Sequence, residues 1–190
     1  MRADDAWLAV TKNGANELGR EERQDLEFAL QMFENAVNID PGSALAYAAS
    51  ANACAMFFCN YSRDQVWVER RIVVLENHLK QVPEDARARI LLGGDYADMG
   101  RSEDALRELS MAVTLRANEA SILCNSACLY CSLGRKPEAL DALRKAWEAG
   151  FRDSVWARRD PDLSLLHGDP EFERLYPEKP AVTHQNVAHS

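Results

Sequence analysis

The chain has 190 residues, of which 47% are apolar and 27% charged, the composition of an ordinary folded domain with a sizeable core. Its net charge of −8 argues against nucleic acids and anionic membranes as partners, because both reward a basic patch. Charged residues follow Met1 at once and no apolar run approaches the ~20 residues of a membrane span, so we expect neither a secretory leader nor a membrane anchor.

Apolar residues recur at three- and four-residue steps along most of the chain, and Gly, Pro and Asp interrupt them at intervals. This pattern predicts amphipathic helices joined by short turns. Residues 19–25 predict a polar connection, and Ser102 is expected to cap the helix that starts there. The predicted helices cover residues 4–18, 25–39, 43–58, 64–81, 86–99, 102–115, 120–133 and 137–149.

Paired in chain order, these helices form four predicted hairpins, and the pattern changes after Gly150. Asp160-Pro161 and Asp169-Pro170 then suit the starts of short helices, which predicts a compact cap. The last residues are polar without an apolar period, so we expect a disordered tail. The predicted hairpins are 4–41, 43–83, 86–117 and 120–150, which together with a cap at 151–176 make one domain over residues 1–176, before a tail at 177–190.

Matched residues recur 34 positions apart in the third and fourth hairpins. A fixed period of this length is typical of stacked helical hairpins. Stacked hairpins form a binding surface more readily than a catalytic pocket. The matched pairs include Tyr96 and Tyr130, Gly100 and Gly134, Ala105 and Ala139, Leu109 and Leu143, and Ala112 and Ala146.

These residues resemble the tetratricopeptide repeat (TPR) family, whose unit has a helix-packing Leu-Gly, an aromatic residue, a turn glycine and spaced alanines. The third hairpin supplies Leu92-Gly93 and Tyr96, and the fourth supplies Tyr130 and Gly134. The resemblance implies an all-α fold, a right-handed superhelix of about four helix-turn-helix hairpins with a short C-terminal helical cap.

The second hairpin departs from the family pattern. The step from Pro41 to Pro83 is 42 residues where the repeat has 34, and Arg71 and His78 stand where the family has alanine. We therefore expect its second helix to pack differently, or the turn at residues 59–63 to be enlarged.

In TPR arrays the first helix of each hairpin lines a concave groove, so the resemblance predicts a groove here. Its residues are small, mostly apolar and nearly neutral, which favours a helix or an extended apolar peptide as the ligand. As an alternative, the chain's own terminal segment or a second copy fills the groove. The predicted lining is Leu45, Ala48, Asn52, Ala55, Met56, Arg87, Ile90, Gly94, Ala97, Asp98, Ser121, Cys124, Cys128, Cys131 and Ser132.

Three segments carry a second resemblance. Residues 22–47 are similar to TPR regions that follow bacterial adenylate cyclase or serine/threonine kinase domains. Trp156-Ala-Arg-Arg-Asp-Pro-Asp-Leu163 and Asp169-Pro-Glu-Phe172 resemble the end of the array in the same proteins. This resemblance implies, as an alternative function, a regulatory module of a larger signalling protein.

The five cysteines lie in or at the end of apolar helical runs, so we interpret them as reduced and expect a cytoplasmic protein. Cys124, Cys128 and Cys131 share one helix face, which leaves a thiol or metal sensor as a third possibility. Zinc sites draw ligands from two elements, and no second Cys/His pair is evident, so packing is the preferred explanation.

Candidate catalytic residues do not assemble into a set. Asp160, Asp162, Asp169 and Glu171 are paired carboxylates, but helix capping explains them more simply than acid–base chemistry. No nucleophile, base and orienting residue can be combined. The sequence predicts a non-catalytic scaffold that binds a protein or peptide, without cofactor or metal, and leaves self-association open.

Overall fold

The computed structural model describes residues 20–61 and 64–178, apart from the side chains of residues 20 and 21. The predicted helix over 4–18 and residues 179–190 of the predicted tail lie outside this range. All regular structure in the described residues is helical. The elements are α1 (Arg20–Ile39), α2 (Ala44–Asn60), α3 (Gln65–Gln81), α4 (Ala86–Asp98), α5 (Ser102–Leu115), α6 (Ala120–Ser132), α7 (Lys136–Glu148), α8 (Ser154–Arg159), the 3-10 helix η1 (Pro161–Leu166) and α9 (Pro170–Leu175).

The chain divides into two compact units, unit 1 over residues 1–117 and unit 2 over residues 118–190. In unit 1, each helix from α1 to α5 packs against the next one in the chain. In unit 2, α6 and α7 form a hairpin, η1 packs on both of them, and α9 packs on α7. The cap is thus an integral part of the core of unit 2.

The start of α1 differs from the prediction. Residues 20–24, expected as part of a polar connection, are the first residues of α1. These residues have no apolar stripe, but Glu, Arg and Gln are good helix formers. Arg23 also donates to Glu27 at 3.0 Å, an i, i+4 pair that supports the exposed helix surface.

Helix starts follow simple capping chemistry in most places. Asp64 and Asp85 accept hydrogen bonds from backbone N–H groups at the starts of α3 and α4. The expectation for Ser102 was wrong, because Ser102 is the first helical residue and Arg101 takes the cap position without a side-chain bond. The acidic first turn, with Glu103 and Asp104, stabilises the N-terminus of α5 through the helix dipole instead.

The turns inside the third and fourth hairpins are the same. Gly100 has φ +72° and Gly134 has φ +70°, the left-handed conformation in which glycine has no steric cost. The Arg101 N–H donates to the Tyr96 carbonyl at 2.7 Å, and the Arg135 N–H donates to the Tyr130 carbonyl at 2.8 Å. These bonds satisfy carbonyls at the end of each first helix, so the 34-residue spacing corresponds to a repeated turn.

The second hairpin takes up its extra length mainly in its helices. α2 and α3 have 17 residues each, whereas α4 and α5 have 13 and 14. The stacked rings of Phe57 and Trp67, 4.1 Å apart between centroids, join the adjoining ends of α2 and α3.

Charged and polar side chains join α3 to α4, which explains the departure at Arg71 and His78. Arg71 Nε lies 2.9 and 2.8 Å from the two carboxylate oxygens of Asp95, whose side chain is 0% exposed. His78 Nε2 lies 2.8 Å from Asp85 Oδ2. Partial burial of Asp85 pushes its pKa upward, but bonds from the Ala88 N–H and His78 outweigh this and lower that pKa. In a third pair, Tyr96 Oη donates to Glu76 Oε1 at 2.6 Å. We call the residues of these three pairs the polar seam: Arg71, Glu76, His78, Asp85, Asp95 and Tyr96.

Gly134→Val should destabilise unit 2 by ~1–2 kcal/mol, because a β-branched residue is strained at positive φ. Urea unfolding followed by circular dichroism measures the change. Gly94→Ala is the control, because Gly94 lies inside α4 with nothing within 4 Å of an added Cβ. An unchanged free energy of unfolding for Gly134→Val would contradict the turn geometry.

Asp95→Ala should destabilise unit 1 by ~3–5 kcal/mol, because it leaves the partly buried Arg71 guanidinium without its counter-charge. The double variant Arg71→Met, Asp95→Leu should recover most of this loss, since it replaces both partners with apolar groups. Urea unfolding of the two variants beside the wild type measures both effects. A single variant as stable as the wild type would show that the pair contributes nothing.

Candidate partner-binding face

Some of the predicted groove residues of α2 are exposed to solvent. Leu45 is 70% exposed and Asn52 is exposed. Met56 is half-buried, because it packs against the core cluster of unit 1. That cluster consists of Leu26, Leu30, Ala53, Cys54 and Phe57. The outer side of α2 therefore offers one large apolar side chain and one exposed amide, with Met56 at its edge.

The predicted groove residues of α4 lie on its outer side as well. Arg87 and Asp98 are exposed, and Ile90 is half-buried. A Cβ added to Gly94 would meet nothing within 4 Å, so the backbone of α4 is open to an approaching chain there. Asp98 lies close enough to Arg71 and Asp95 to act on them electrostatically, which links this side of α4 to the polar seam.

Both helices pack against α3, and each has residues of the predicted groove that are exposed or half-buried. Between them, the exposed sides of α2 and α4 carry opposite charges, an amide, apolar side chains and an open stretch of backbone. We call this surface the α2/α4 face. Its residues are Leu45, Asn52, Met56, Arg87, Ile90, Gly94 and Asp98.

The predicted groove residues of α6 are mostly covered, which corrects the expectation of an open groove there. Cys124 is 2% exposed, Cys131 is 8% exposed and Cys128 is half-buried. The covering element is the chain's own cap, because η1 packs on α6 and Cys128 Sγ lies 3.8 Å from Asp160 Oδ2. Ser121 and Ser132, at the two ends of α6, stay exposed.

Apolar burial holds the cap in place. Leu163 and Leu166 of η1 are 0% exposed, as are Phe172 and Tyr176 at the end of the cap. A small, apolar cysteine face suits such packing. The residues that cover this side of α6 therefore belong to the predicted cap.

The thiols of Cys128 and Cys131 are poor nucleophiles. Burial, with the nearby Asp162 and Asp160, raises the pKa of Cys131 to about 11. A hydrogen bond with Cys124, together with burial, raises the pKa of Cys128 well above its ordinary value. Burial raises the pKa of Cys54 in unit 1 to about 11. Because the thiolate is the reactive form, this environment does not favour a redox sensor.

The carboxylates of the cap have structural partners. Asp160 accepts a hydrogen bond from the Asp162 N–H, and Asp169 accepts one from the Glu171 N–H, both at 2.9 Å. Asp169 also pairs with Lys136 of α7 at 2.9 Å. The predicted capping role of the two Asp-Pro pairs is confirmed.

The described residues offer neither a metal-binding cluster nor a membrane-spanning helix. No group of three or more His, Cys, Asp and Glu side chains in residues 20–61 and 64–178 has an arrangement that could hold a metal ion. Within the same ranges, no helix has the length and apolar character required to cross a membrane.

Comparison with known structures shows the fold. The chain is similar to TTC0263, a thermophilic TPR protein in Thermus thermophilus, with 22% identity, a TM-score of 0.63, and coverage of 86% of this chain and 88% of that one. It is also similar to the MamA protein, with 18% identity, a TM-score of 0.52 and coverage of 74% of both chains. The predicted fold class is confirmed: this is an all-α, TPR-type fold.

Sequence comparison adds one curated relative. The chain is 30% identical over 110 residues to a chloroplastic protein of Arabidopsis thaliana, and the match covers 55% of this chain and 33% of that protein. The chain thus spans about a third of the length of this relative, and the role of the whole relative is not carried over. No protein-family model matches the chain.

Sequence reasoning missed the exposure of the short helix α8. The sequence places Trp156 among the apolar residues of the cap, yet its side chain is 40% exposed, and Val155 is 42% exposed. A six-residue helix buries one narrow side, and here Ala157 occupies it. In the sequence, the small residue Ala157 after the large Val155 and Trp156 indicates which side of α8 packs inward.

Native protein treated with a thiol reagent at pH 8 should show one fast-reacting cysteine, Cys59, since it is the exposed thiol among the five. The others should react only on unfolding, because Cys54, Cys124 and Cys131 are buried and the cap lies against Cys128. Cys54 and Cys131 also have a pKa of about 11, so each is ~0.1% ionised at pH 8. Absorbance of the released chromophore measures both phases, and Cys59→Ser should remove the fast one. Fast reaction of Cys124 or Cys131 would contradict a closed cap.

Proposed function

We propose that the protein is a non-catalytic interaction module that binds a segment of another protein on the α2/α4 face of unit 1. The observation that carries the proposal is the contrast between two equivalent surfaces. The outer sides of α2 and α4 are open at Leu45, Asn52 and Gly94, whereas the corresponding side of α6 is covered by η1.

The chemistry of the face favours an extended or helical segment with an apolar side chain. Leu45 offers apolar contact area, and Ile90 and Met56 extend it at half-buried positions. Asn52 can donate to and accept from a peptide backbone. Arg87 and Asp98, near opposite ends of α4, carry opposite charges, so the face suits a segment with both signs of charge.

The TPR-type fold supports this proposal as an analogy, since stacked hairpins present extended binding surfaces. The raised pKa values of the buried thiols favour an interaction role over a thiol sensor. The regulatory module of a larger signalling protein remains a prediction from the sequence.

Gly94→Arg should abolish partner binding without unfolding the protein. The open space at Gly94 accepts a side chain, and replacing a helical glycine stabilises a helix by ~0.5–1 kcal/mol. The added side chain then occupies the face where a partner backbone would approach. Quantitative affinity capture from the source-cell lysate, read by mass spectrometry, compares the wild type with this variant.

Gly94→Ala is the matched control, because it gives the same backbone effect with a single methyl group. We expect proteins that are enriched by the wild type and by Gly94→Ala and lost with Gly94→Arg. The same set of proteins on all three baits would place the binding surface elsewhere.

A further inference from the structure

The cap of unit 2 contains a tryptophan that is only partly buried. Trp156 is 40% exposed, and beside it Val155 is 42% exposed. The one ring contact of Trp156 in the described residues is an edge contact with Phe151, 5.4 Å between centroids. Exposed tryptophan is uncommon on protein surfaces and frequent at the centres of protein interfaces.

Basic residues near this tryptophan lack carboxylate partners. Six of the described basic side chains of unit 2 pair with a carboxylate, whereas Arg152 and Arg159 do not pair with one in the described residues. The six are Arg135, Lys136, Arg144, Lys145, Arg158 and Arg174. The chain has 30 acidic and 22 basic residues. Two arginines that lack a carboxylate partner in the described residues therefore distinguish this short stretch from the rest of unit 2.

The two arginines lie at opposite ends of a row of aromatic rings. Arg159 follows Trp156 by three positions on α8, so their side chains are neighbours on the helix surface. From Trp156 the row continues through Phe151 and Tyr176 to Trp147. The guanidinium of Arg152 lies 4.0 Å from the centroid of the Trp147 ring.

Acidic residues flank α8 at both ends, and both are helix caps: Asp160, which follows Arg159, accepts the Asp162 N–H at 2.9 Å. Asp153 caps α8, and its carboxylate accepts the Trp156 N–H at 2.9 Å. Arg158, next to Arg159, is already bound to Glu173 and to the Tyr176 carbonyl. Arg152 and Arg159 are thus the exposed arginines of this stretch without a carboxylate partner in the described residues, and Arg159 lies beside the exposed Trp156 on α8.

We propose that Val155, Trp156 and Arg159, with Arg152, form a second docking surface for an acidic segment of a partner protein, in which carboxylates flank an aromatic or aliphatic residue. The apolar residue packs on Trp156 and Val155, and the carboxylates pair with the arginines. This surface lies within unit 2 and is independent of the α2/α4 face.

A displayed library of random heptapeptides, selected on the immobilised full chain, tests this proposal. On the wild type, we expect enrichment of sequences with two or more carboxylates beside an apolar residue. Enrichment should fall about tenfold with Trp156→Ala and with Arg159→Glu, because each removes one half of the recognition. Trp156→Phe should retain part of it, which separates loss of the aromatic anchor from loss of the fold.

Two variants serve as controls. Arg174→Glu changes an arginine that is 74% exposed in the same unit and should leave the enrichment unchanged. Gly94→Arg should also leave it unchanged, so that failure of the α2/α4 proposal is distinguishable from failure of this one. Circular dichroism confirms that each variant is folded.

Two results would overturn the proposal. One is a wild type that selects no acidic peptides, or that selects the same ones as Trp156→Ala and Arg159→Glu. The other is a dimer in size-exclusion chromatography that Trp156→Ala dissolves while no acidic peptide is enriched, since the occupant would then be a second copy of the chain.

Discussion

The buried ion pair between Arg71 and Asp95 is the contact on which the arrangement of unit 1 depends. A guanidinium on the inner side of α3 needs a counter-charge, and the fully buried carboxylate of Asp95 on α4 provides it. Hydrogen bonds are directional whereas apolar contacts are not, so the polar seam fixes how α4 lies on α3. Because α2 also packs on α3, one helix positions both sides of the α2/α4 face.

Both units contain the same type of hairpin, but the exposure of its first helix differs between them. In unit 1 the first helices of the hairpins keep an open side, while in unit 2 the apolar residues of η1 cover the cysteine side of α6. The buried cysteine side of α6 therefore has a packing role. Trp156 on α8 stays 40% exposed on the cap, which is why the second docking surface is proposed there.

The sequence predicted what the repeat itself determines. Gly100 and Gly134 make the same turn, and Leu109 and Leu143, 34 positions apart, are both fully buried. It did not reveal the partner of Arg71, because Asp95 lies 24 residues away and no periodicity distinguishes it from other carboxylates. Nor did it show that Cys128 is covered, since a small apolar residue suits an open groove and a packed cap equally.

The most direct measurement is photo-crosslinking in the source cell, with a photoreactive amino acid placed in turn at Leu45, at Gly94 and at the exposed Glu148 of α7. We expect positions 45 and 94 to capture a common protein, identified by mass spectrometry, which position 148 does not capture. Crosslinks to that protein from position 148 alone, or equally from all three positions, would contradict the assignment of partner binding to the α2/α4 face.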